Sequence, residues 1–335
     1  MTNTRFAGLV LDYPVQPHEK TAPLTPARDL FTVAHMGIPE IELGNWALAV
    51  SGLAVQPRSF DLAALKALPS QTIEAVHKCA GDPLDAARPT RQVANVRWAG
   101  VDVREVLNVC GARPEGAFLW ASGADHGVAE NGAVIHEYQK DVPMARVREG
   151  GVLIAYAMQD QPLSRKHGFP ARLVVPGFYG TNSVKWLTRL ELREKRSPSL
   201  FTTTLYNDPG PNAGAPDDRL PVWRLVPESQ IVSPAPHAQL RVGESIEIWG
   251  WAWCGGALKR VELSTDGGAT WTDAPLGQRS SEPARRHAWQ RFSYFWTPRA
   301  PGSYVVMSRA TGADGARQPP AGARNAMYQL PVIVM

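Results

Sequence analysis

Cys79 is a residue whose type and position in the chain suit catalysis or metal binding. Residues 72–78 mix β-branched, apolar and polar side chains and predict a short strand, and the Gly and Pro that follow predict a turn. Functional side chains are often found where a strand runs into a loop. His77 and Lys78 are expected to favour the thiolate, the form that attacks a substrate or ligates a metal. The alternative is that Cys79 fills space, as many lone cysteines do.

A second set of candidate residues lies in a cation-rich stretch further along the chain. Residues 161–172 predict a polar loop that contains His167, and residues 173–176 predict an apolar strand after it. A Gly-rich turn at residues 177–180 then leads towards Lys185. Cationic side chains together with the backbone N–H groups of such a turn suit the binding of a phosphate or another oxyanion. The alternative is an ordinary solvated loop.

The composition predicts a soluble, globular protein with two domains. The chain has 335 residues, of which 44% are hydrophobic and 20% charged, and a formal net charge of +4. The cations are spread along the sequence, which argues against a nucleic-acid partner, and no apolar run approaches the length that spans a membrane. Since the N-terminus has no recognisable leader, we expect a cytoplasmic protein, or a periplasmic one if a leader was removed.

The three cysteines, Cys79, Cys110 and Cys254, predict neither a disulfide framework nor a zinc site. They are far apart, odd in number and include no CxxC pair. Cys110 lies on the apolar face of a predicted helix and is expected to belong to the core. The sequence has no CxxCH motif, so we expect no haem in this chain. Arg outnumbers Lys by 27 to 8, which suits planar contacts to oxyanions.

The elements that must position these residues lie in the first two thirds of the chain. Residues 1–30 are rich in Pro and predict an extended arm over the surface. Loose alternation predicts a strand within residues 43–55, and Leu at helical spacing predicts a short helix at residues 61–69. Further along, the patterns predict a helix at residues 101–110 capped by Gly111, a strand at residues 118–122 that leads to a loop with Asp125, and a strand at residues 152–158.

The C-terminal part of the chain, from about residue 226, changes to an all-β pattern. Strands are predicted at residues 245–254, 258–264, 289–296, 303–310 and 328–334, with turn signals between them. Roughly a hundred residues with this rhythm predict an immunoglobulin-like sandwich. Trp249, Trp251 and Trp253 share one strand face. Exposed, they would form a stacking platform for sugar; buried, which we expect, they belong to a core or an interface. Residues 208–225 predict a Pro- and Gly-rich linker.

Several motifs gain meaning when they are taken together. They are His167-Gly168-Phe169-Pro170-Ala171-Arg172, Val174-Val175-Pro176-Gly177 and Ser183-Val184-Lys185-Trp186-Leu187, preceded by Cys79-Ala80-Gly81, by Arg97-Trp98-Ala99-Gly100-Val101 and by Phe31, Thr32, His35 and Pro39 near the start. The combination resembles the sulfite oxidase family. The first three motifs are similar to its molybdopterin-binding domain, and the Cys motif is similar to the one that ligates molybdenum. The match runs from about residue 30 to the C-terminus.

The resemblance implies a fold, a cofactor and roles for particular residues. It implies an α+β molybdopterin-binding catalytic domain at residues 31–207 and, at residues 226–335, a dimerisation domain that agrees with the predicted sandwich. A molybdenum–molybdopterin cofactor is implied, to which Cys79 contributes one thiolate and the pterin dithiolene two further sulfurs. Tyr206 resembles the active-site Tyr, whose phenol can donate a hydrogen bond at the metal. By motif position, the residues similar to the cofactor contacts are His35, Cys79, Asp125, His167, Arg172, Ser183 and Lys185.

The sequence departs from the family pattern at three places where sulfite oxidases carry cations. Val33 stands where the family has Arg, Asp82-Pro83-Leu84 stands where it has Asn-Arg-Arg, and a Trp-Asn-x-Arg-Gly stretch near the end is replaced by residues 320–324. A dianion in a desolvated pocket needs paired cations. The sequence therefore predicts that sulfite is a poor substrate and that the true one is neutral, zwitterionic or larger. Candidate replacements for the missing cations are Arg88, Arg91 and Arg324.

We therefore expect a molybdenum oxidoreductase that transfers an oxygen atom to or from a small-molecule substrate, with Cys79 and Tyr206 in catalysis. Electrons would pass through an external carrier, a cytochrome or another protein, since the chain has no cluster-like set of cysteines. Reduction of an S-oxide or N-oxide is an open alternative. The rival from another class is a non-catalytic binding module whose Trp-rich sandwich recognises carbohydrate or a protein. We also expect a homodimer through residues 226–335.

Overall fold

The protein consists of two compact units that are not continuous in sequence. The computed structural model describes residues 6–81, 85–210 and 219–335. Unit 1 takes its described residues from 1–12, 32–73 and 97–223, and unit 2 takes its own from 13–31, 74–96 and 224–335. The predicted departure at Asp82-Pro83-Leu84 and residues 211–218 of the predicted linker lie outside the described residues.

The packing divides the chain differently from the domain boundaries predicted from sequence, which stay a prediction. Residues 74–96, which include Cys79, were assigned to a continuous catalytic domain at 31–207, but they group with the C-terminal unit. The reason is a set of hydrogen bonds within unit 2. The N–H of Val76 donates to the carbonyl of His287 at 2.9 Å, and the N–H of Gln329 donates to the carbonyl of Ala86 at 2.9 Å. The hydroxyl of Thr90 also donates to the carboxylate of Glu228.

Unit 1 is built mainly from short strands. They are β1 (Val10–Asp12), β2 (Thr32–Ala34), β3 (Leu48–Gly52), β4 (Arg58–Phe60), β5 (Ser70–Lys78), β6 (Val93–Asp102), β7 (Phe118–Gly123), β8 (Gly127–Val128), β9 (Val134–Ile135), β10 (Gln139–Pro143), β11 (Leu153–Met158), β12 (Gln161–Pro162), β13 (Arg172–Val174), β14 (Leu187–Arg193), β15 (Asn207–Pro209) and β16 (Arg219–Pro221). The chain leaves unit 1 within β5 and returns within β6. The strands predicted at residues 118–122 and 152–158 are confirmed as β7 and β11.

One five-stranded sheet has the strand order β10-β7-β14-β3-β4. Its pairs are antiparallel apart from β14 and β3, which run parallel. In a second five-stranded sheet β11 lies between β6 and β13, so that Ile154 lies opposite Val101 on one side and Leu173 on the other. These side chains are fully buried in one core with those of the first sheet. The strands that carry the candidate residues therefore rest on a continuous apolar interior.

The helices of unit 1 are short; the first two lie within the helices predicted at residues 61–69 and 101–110, and the third was not predicted. They are α1 (Leu62–Lys66), α2 (Val103–Cys110) and α3 (Met144–Arg148). The carboxylate of Asp61 accepts the N–H of Ala64 at 2.7 Å and caps α1. Gly111, with φ at 68°, ends α2, and Cys110 is fully buried as predicted. No helix in the described ranges is long and apolar enough to span a membrane.

Unit 2 consists of two sheets around one core. Its strands are β17 (Glu228–Ser233), β18 (Gln239–Leu240), β19 (Ile246–Trp253), β20 (Leu258–Ser264), β21 (Thr272–Ala274), β22 (Gln290–Trp296), β23 (Gly302–Gly312) and β24 (Leu330–Val334). One sheet has the order β17-β19-β22 and the other β18-β24-β23-β20-β21. Ile248 and Phe292 of the first sheet share a core with Val306 of the second. The predicted strands are confirmed; the immunoglobulin-like classification stays a prediction.

The N-terminal segment is not the surface arm that the sequence predicts. It includes β1, which pairs with β2 in unit 1, and two short 3-10 turns in unit 2, Pro17–Glu19 and Ala27–Asp29. In unit 2 the buried ammonium of Lys20 donates to the carbonyls of Arg91 and Val93, both at 2.8 Å. This segment is therefore part of the packing of unit 2.

The same segment covers the Trp residues of β19. Ile248 and Ala252 face the core between the sheets, while the Trp side chains alternate with them and point to the opposite face. There the indole N–H of Trp251 donates to the carbonyl of Lys20 at 2.7 Å, and its ring stacks on Trp289 at 4.9 Å between ring centres. Trp251 and Trp253 are buried. The alternative of an exposed sugar platform is therefore wrong for these two residues.

Candidate active site

Cys79 lies in unit 2, one residue beyond the end of β5. Its backbone N–H donates to the carbonyl of Gln92 at 2.9 Å, which holds the loop to the start of β6. The N–H of Gly81 points at the sulfur, with N and Sγ 3.5 Å apart. Cys79 is half-buried, whereas Cys110 and Cys254 are buried. A partly exposed thiol that receives a backbone N–H is suited to react or to ligate as the thiolate.

The ion pair of Lys78 corrects the prediction that this side chain favours the thiolate of Cys79. The side chain of Lys78 is fully buried, and its Nζ lies 3.4 Å from the carboxylate of Glu228. His77, on the other face of the strand, stacks on the ring of Phe31 at 5.6 Å. The charge of Lys78 is thus balanced by Glu228, while the Gly81 N–H contacts the sulfur. The Cys-x-Gly spacing was the signal for it in the sequence.

The three candidate replacement cations differ in their surroundings within unit 2. Arg88 is exposed. The guanidinium of Arg91 donates to the carbonyl of Tyr13 and lies 5.6 Å from the centre of the Tyr13 ring. Arg324 donates to the carbonyl of Ala80, the residue directly after Cys79. Of the three, Arg324 is therefore the one bonded to the thiol loop, while Arg91 is committed to the N-terminal segment.

Four of the predicted cofactor contacts come together in unit 1 around Arg172. Its guanidinium is buried and donates to the carbonyls of His167 and Ser183, both at 3.0 Å. It also lies 4.9 Å from the centre of the Trp98 ring. Burial lowers the pKa of Arg172 to about 9, because the charged form has lost its hydration. An anion bound beside this group would recover part of that lost stabilisation.

Lys185, the fourth of these contacts, approaches the same place from the loop that precedes β14. Its ammonium donates to the carbonyl of Val33 at 2.8 Å. Between the two cations lies Gly168, whose φ of 107° is in the left-handed region. A Cβ at this position would lie 3.1 Å from the Cβ of Arg172 and 3.2 Å from that of Lys185. A residue without a side chain is therefore needed for the two cations to come this close.

His167 is held by hydroxyl groups on both sides of its ring. Its Nδ1 is 2.8 Å from the hydroxyl of Ser164, and its Nε2 is 3.5 Å from the hydroxyl of Thr32. The imidazole is buried at the C-terminal end of the short turn Arg165–His167. These contacts fix the ring plane, so His167 presents a defined edge to a ligand.

Asp125 is a buried carboxyl in the loop that follows β7. Burial raises its pKa to about 6, against the opposing effect of the positive charge of Lys185. The loop is tight here, since a Cβ on Gly123 would lie 2.6 Å from a carboxylate oxygen of Asp125. A carboxyl that is protonated below about pH 6 can donate a hydrogen bond as well as accept one.

Tyr206 and His35 form a hydrogen-bonded pair, although they are far apart in the sequence. The phenol oxygen lies 2.8 Å from Nε2 of His35. Burial, with a smaller effect of Lys185, lowers the pKa of His35 to about 4, so the imidazole is neutral at pH 7. Tyr206 directly follows one π-helical turn, Phe201–Leu205. The phenol of Tyr206 therefore has a hydrogen-bond acceptor, the imidazole of His35, already in place.

Sequence reasoning missed one residue of this group. Lys140 in β10 is fully buried, its ammonium donates to the carbonyl of Phe201 at 2.9 Å, and it lies 5.4 Å from the centre of the Tyr206 ring. Burial lowers its pKa to about 7. The signal in the sequence was weak: two adjacent charges, Lys140 and Asp141, inside a short strand pattern with no recognisable motif.

The predicted site residues thus divide between the two units. Unit 1 contains the pair of His35 and Tyr206, the loop residue Asp125, and the cluster of His167, Arg172, Ser183 and Lys185; unit 2 contains Cys79, Arg88, Arg91 and Arg324. Within each unit the geometry is that of a binding site. Unit 1 offers buried cations and hydrogen-bonding groups, and unit 2 offers a thiol.

Two family models match the chain. Residues 35–201 match the oxidoreductase molybdopterin binding domain, and residues 219–327 match the Mo-co oxidoreductase dimerisation domain. The first of these covers both Cys79 and the cation cluster.

Several known proteins are similar over most of this chain. The mitochondrial sulfite oxidase of Drosophila melanogaster is 30% identical over 83% of it, and the sulfite oxidase of Gallus gallus is 33% identical over 79%. The chain covers 51% and 61% of the lengths of these two relatives. Among solved structures, the sulfane dehydrogenase SoxCD from Paracoccus pantotrophus aligns with a TM-score of 0.79 at 27% identity. That alignment covers 98% of this chain and 90% of the other.

Proposed function

Because the chain belongs to the sulfite oxidase family of molybdopterin oxidoreductases, we propose that it oxidises a sulfur compound other than free sulfite by oxygen-atom transfer. The observations that carry the proposal are made within each unit by itself: in unit 2 a partly exposed thiol receives the Gly81 N–H, and in unit 1 the buried Arg172 lies in one cluster with the half-buried Lys185. A thiolate suits molybdenum as a soft ligand, and buried cations suit the phosphate that the pterin carries.

Residues within each unit suit a part of this cofactor. In unit 2, Cys79 would supply the protein ligand to the metal. In unit 1, Arg172 and Lys185 would hold the phosphate, since both are cationic and their Cβ atoms both lie next to Gly168. His167 and Ser183 would contribute hydrogen bonds from positions that their neighbours already fix. Asp125 would exchange a hydrogen bond with a polar group of the pterin, as donor or acceptor according to pH.

When bound, the molybdenum cofactor supplies two-electron oxygen-atom transfer. Overall, one water molecule gives its oxygen to the substrate sulfur, and two protons and two electrons are released. The protein residues handle the protons and the substrate. The hydroxyl of Tyr206 has one proton, which the neutral His35 accepts until the hydroxyl turns it as a hydrogen bond towards the reacting atoms. The electrons leave to an external carrier.

The substrate class follows from the cations around the thiol loop. Arg91 is bound to Tyr13 and Arg88 is exposed, which leaves Arg324 as the cation attached to this loop. One cation is a weak match for a dianion in a desolvated pocket. We therefore infer a substrate whose sulfur is neutral or carried on a zwitterionic or larger molecule. The similarity to a protein titled sulfane dehydrogenase supports this class.

Assembly follows the second family model. Since residues 219–327 match a dimerisation domain, we propose a homodimer formed through unit 2, with the electron carrier as a separate protein. Reduction of an S-oxide or N-oxide is the reverse reaction on the same residues and is the second candidate. The direction is decided by which artificial dye, an oxidant or a reductant, supports turnover.

The proposal is tested with protein expressed in a host that makes molybdopterin. Metal and pterin content are measured first, and turnover is then followed with sulfite, with neutral and zwitterionic sulfur compounds, and with S-oxides against oxidised and reduced dyes. We expect about one molybdenum per chain and oxidation of a neutral or zwitterionic sulfur compound. Protein that binds pterin yet turns over none of these compounds in either direction would contradict the proposal. Protein without molybdenum or pterin would favour the non-catalytic rival.

A further inference from the structure

Lys140 is a buried cation whose surroundings do not explain its charge. Its ammonium donates to the carbonyl of Phe201 at 2.9 Å. Within the described ranges, no carboxylate lies close enough to form an ion pair with it. A buried ammonium without a carboxylate is costly, and burial accordingly lowers its pKa to about 7. A neutral side chain such as Met would fill the same space without this cost.

The group that faces the Lys140 ammonium is the ring of Tyr206. The nitrogen lies 5.4 Å from the ring centre. The phenol oxygen of Tyr206 is hydrogen-bonded to Nε2 of His35, which is neutral at pH 7. A cation at this distance in a buried environment stabilises negative charge on the phenol oxygen.

The other charged groups near Lys140 do not compensate for it. Asp141 and Arg196 form a two-point ion pair at 2.9 and 3.1 Å, so their opposite effects on Lys140 largely cancel. Lys185 acts on His35 and not on Lys140. The ammonium is therefore the charged group that responds most directly to a change in the charge of the phenol.

We propose that Lys140 is a positioning residue for the reaction, which holds the ring of Tyr206 and stabilises the charge that develops on its oxygen as the hydroxyl shares its proton. The inference rests on the proposed function, because it takes Tyr206 to contact the reacting atoms. The contact between the ammonium and the ring does not depend on the cofactor, so the first test uses cofactor-free protein.

The first test measures directly whether the charge of Lys140 affects Tyr206. Protein labelled with ¹³C at Cζ of tyrosine is titrated by NMR, and Tyr206→Phe assigns the resonance. In the wild type the Tyr206 resonance is expected to shift with a midpoint near pH 7, as Lys140 loses its proton. Lys140→Met should abolish this shift. Lys66→Met is the matched control, since Lys66 is exposed and lies 5.2 Å from the ring centre of Tyr156. It should leave the Tyr206 titration unchanged.

The same transition in Lys140→Met, or no transition in the wild type, would overturn the inference. Because this readout needs no turnover, it remains decisive if the proposed reaction is wrong. Failure of the proposed function alone would leave the NMR coupling intact.

The second test separates the charge of Lys140 from its packing. Lys140→Met is expected to lower kcat by roughly tenfold or more with little change in KM. Wild-type kcat should fall as pH rises through about 7, while Lys140→Arg, which stays charged, should lose that fall. A merely structural role would give the same relative loss at every pH in both variants, together with a lower Tm. That pattern would refute the proposal.

Discussion

Two fully buried lysines, one in each unit, are held in opposite ways. In unit 2, Lys78 forms an ion pair with the carboxylate of Glu228 at 3.4 Å, and Thr90 adds a hydrogen bond to the same carboxylate. In unit 1, Lys140 has a backbone carbonyl and an aromatic ring beside it. The first arrangement joins β5 to β17 inside one unit and is structural. The second leaves a charge available to a neighbouring phenol. Burial of a cation therefore indicates function when the protein does not neutralise it.

Two thiols of unit 2 also differ in their surroundings, and substitution of the less buried one is expected to have the largest effect on turnover. Cys79 and Cys254 each receive a backbone N–H from a Gly two residues later, Gly81 and Gly256, yet Cys254 is buried and its pKa is raised by burial. Cys79→Ser is expected to reduce turnover to the assay background while circular dichroism stays unchanged, because a hydroxyl is a harder and poorer metal ligand than a thiolate.

Cys254→Ser is the matched control for that prediction and should keep its activity and molybdenum content. Wild-type turnover in Cys79→Ser would show that the thiol is structural and that the contrast between the two cysteines is wrong.

The next prediction concerns the charge of the substrate and the protein cations that would have to balance it. We expect kcat/KM for sulfite to be lower by about 10³-fold than for the best neutral or zwitterionic sulfur compound, because each missing charge-assisted hydrogen bond costs about 1.5–3 kcal/mol. Steady-state kinetics with one artificial acceptor measure both values. An efficiency for sulfite near 10⁶ M⁻¹s⁻¹, well inside the enzyme range, would contradict this prediction. Arg324→Ala and Arg88→Ala would then identify the replacement cation.

The two lysines can be compared directly by substitution. Lys78→Met should lower the free energy of unfolding by about 3–5 kcal/mol, because it leaves the Glu228 carboxylate buried and unpaired. The double variant Lys78→Met/Glu228→Gln should recover much of that loss. Urea denaturation of cofactor-free protein measures both. If Lys78→Met were as stable as the wild type, the ion pair would not be structural.

The last prediction is a pH dependence of stability from Lys140. Its pKa is about 7 in the folded protein and near 10.4 when unfolded, so the unfolded chain binds more protons between these values. The contribution of Lys140 to the free energy of unfolding therefore rises with pH from about 7 to about 10. Lys140→Met should flatten this part of the stability curve, measured by urea denaturation at several pH values. An unchanged slope in Lys140→Met would contradict the burial-driven shift.

Local patterns allowed much of the fold to be predicted from the sequence. The capping carboxylate of Asp61, the C-cap at Gly111 and the apolar spacing around Cys110 act over a few residues, and these elements lie where expected. The five strands predicted in unit 2 were likewise placed to within about two residues because turn signals separate them, whereas β17, β18 and β21 were not predicted. The cations around Gly168 were found because their residues fall in compact motifs.

Long-range packing accounts for what was missed. Nothing near Cys79 in the sequence indicates that residues 74–96 join the C-terminal unit, since their partners, such as Glu228 and His287, lie far along the chain. The role of Lys20 under Trp251 was hidden for the same reason. Lys140 follows no motif, and its importance depends on a tyrosine that comes close only in the folded protein.

The discontinuous make-up of unit 2 has a consequence for how the protein is synthesised. Residues 224–335 are synthesised after residues 13–31 and 74–96, yet the three segments form one unit. Because contacts of such high sequence separation form late, the loop of Cys79 acquires its supports only after residues 224–335 have been made. Cofactor insertion is thus expected to follow the synthesis of unit 2. A nascent chain stalled before residue 224 should present this thiol without the neighbours that give it its chemistry.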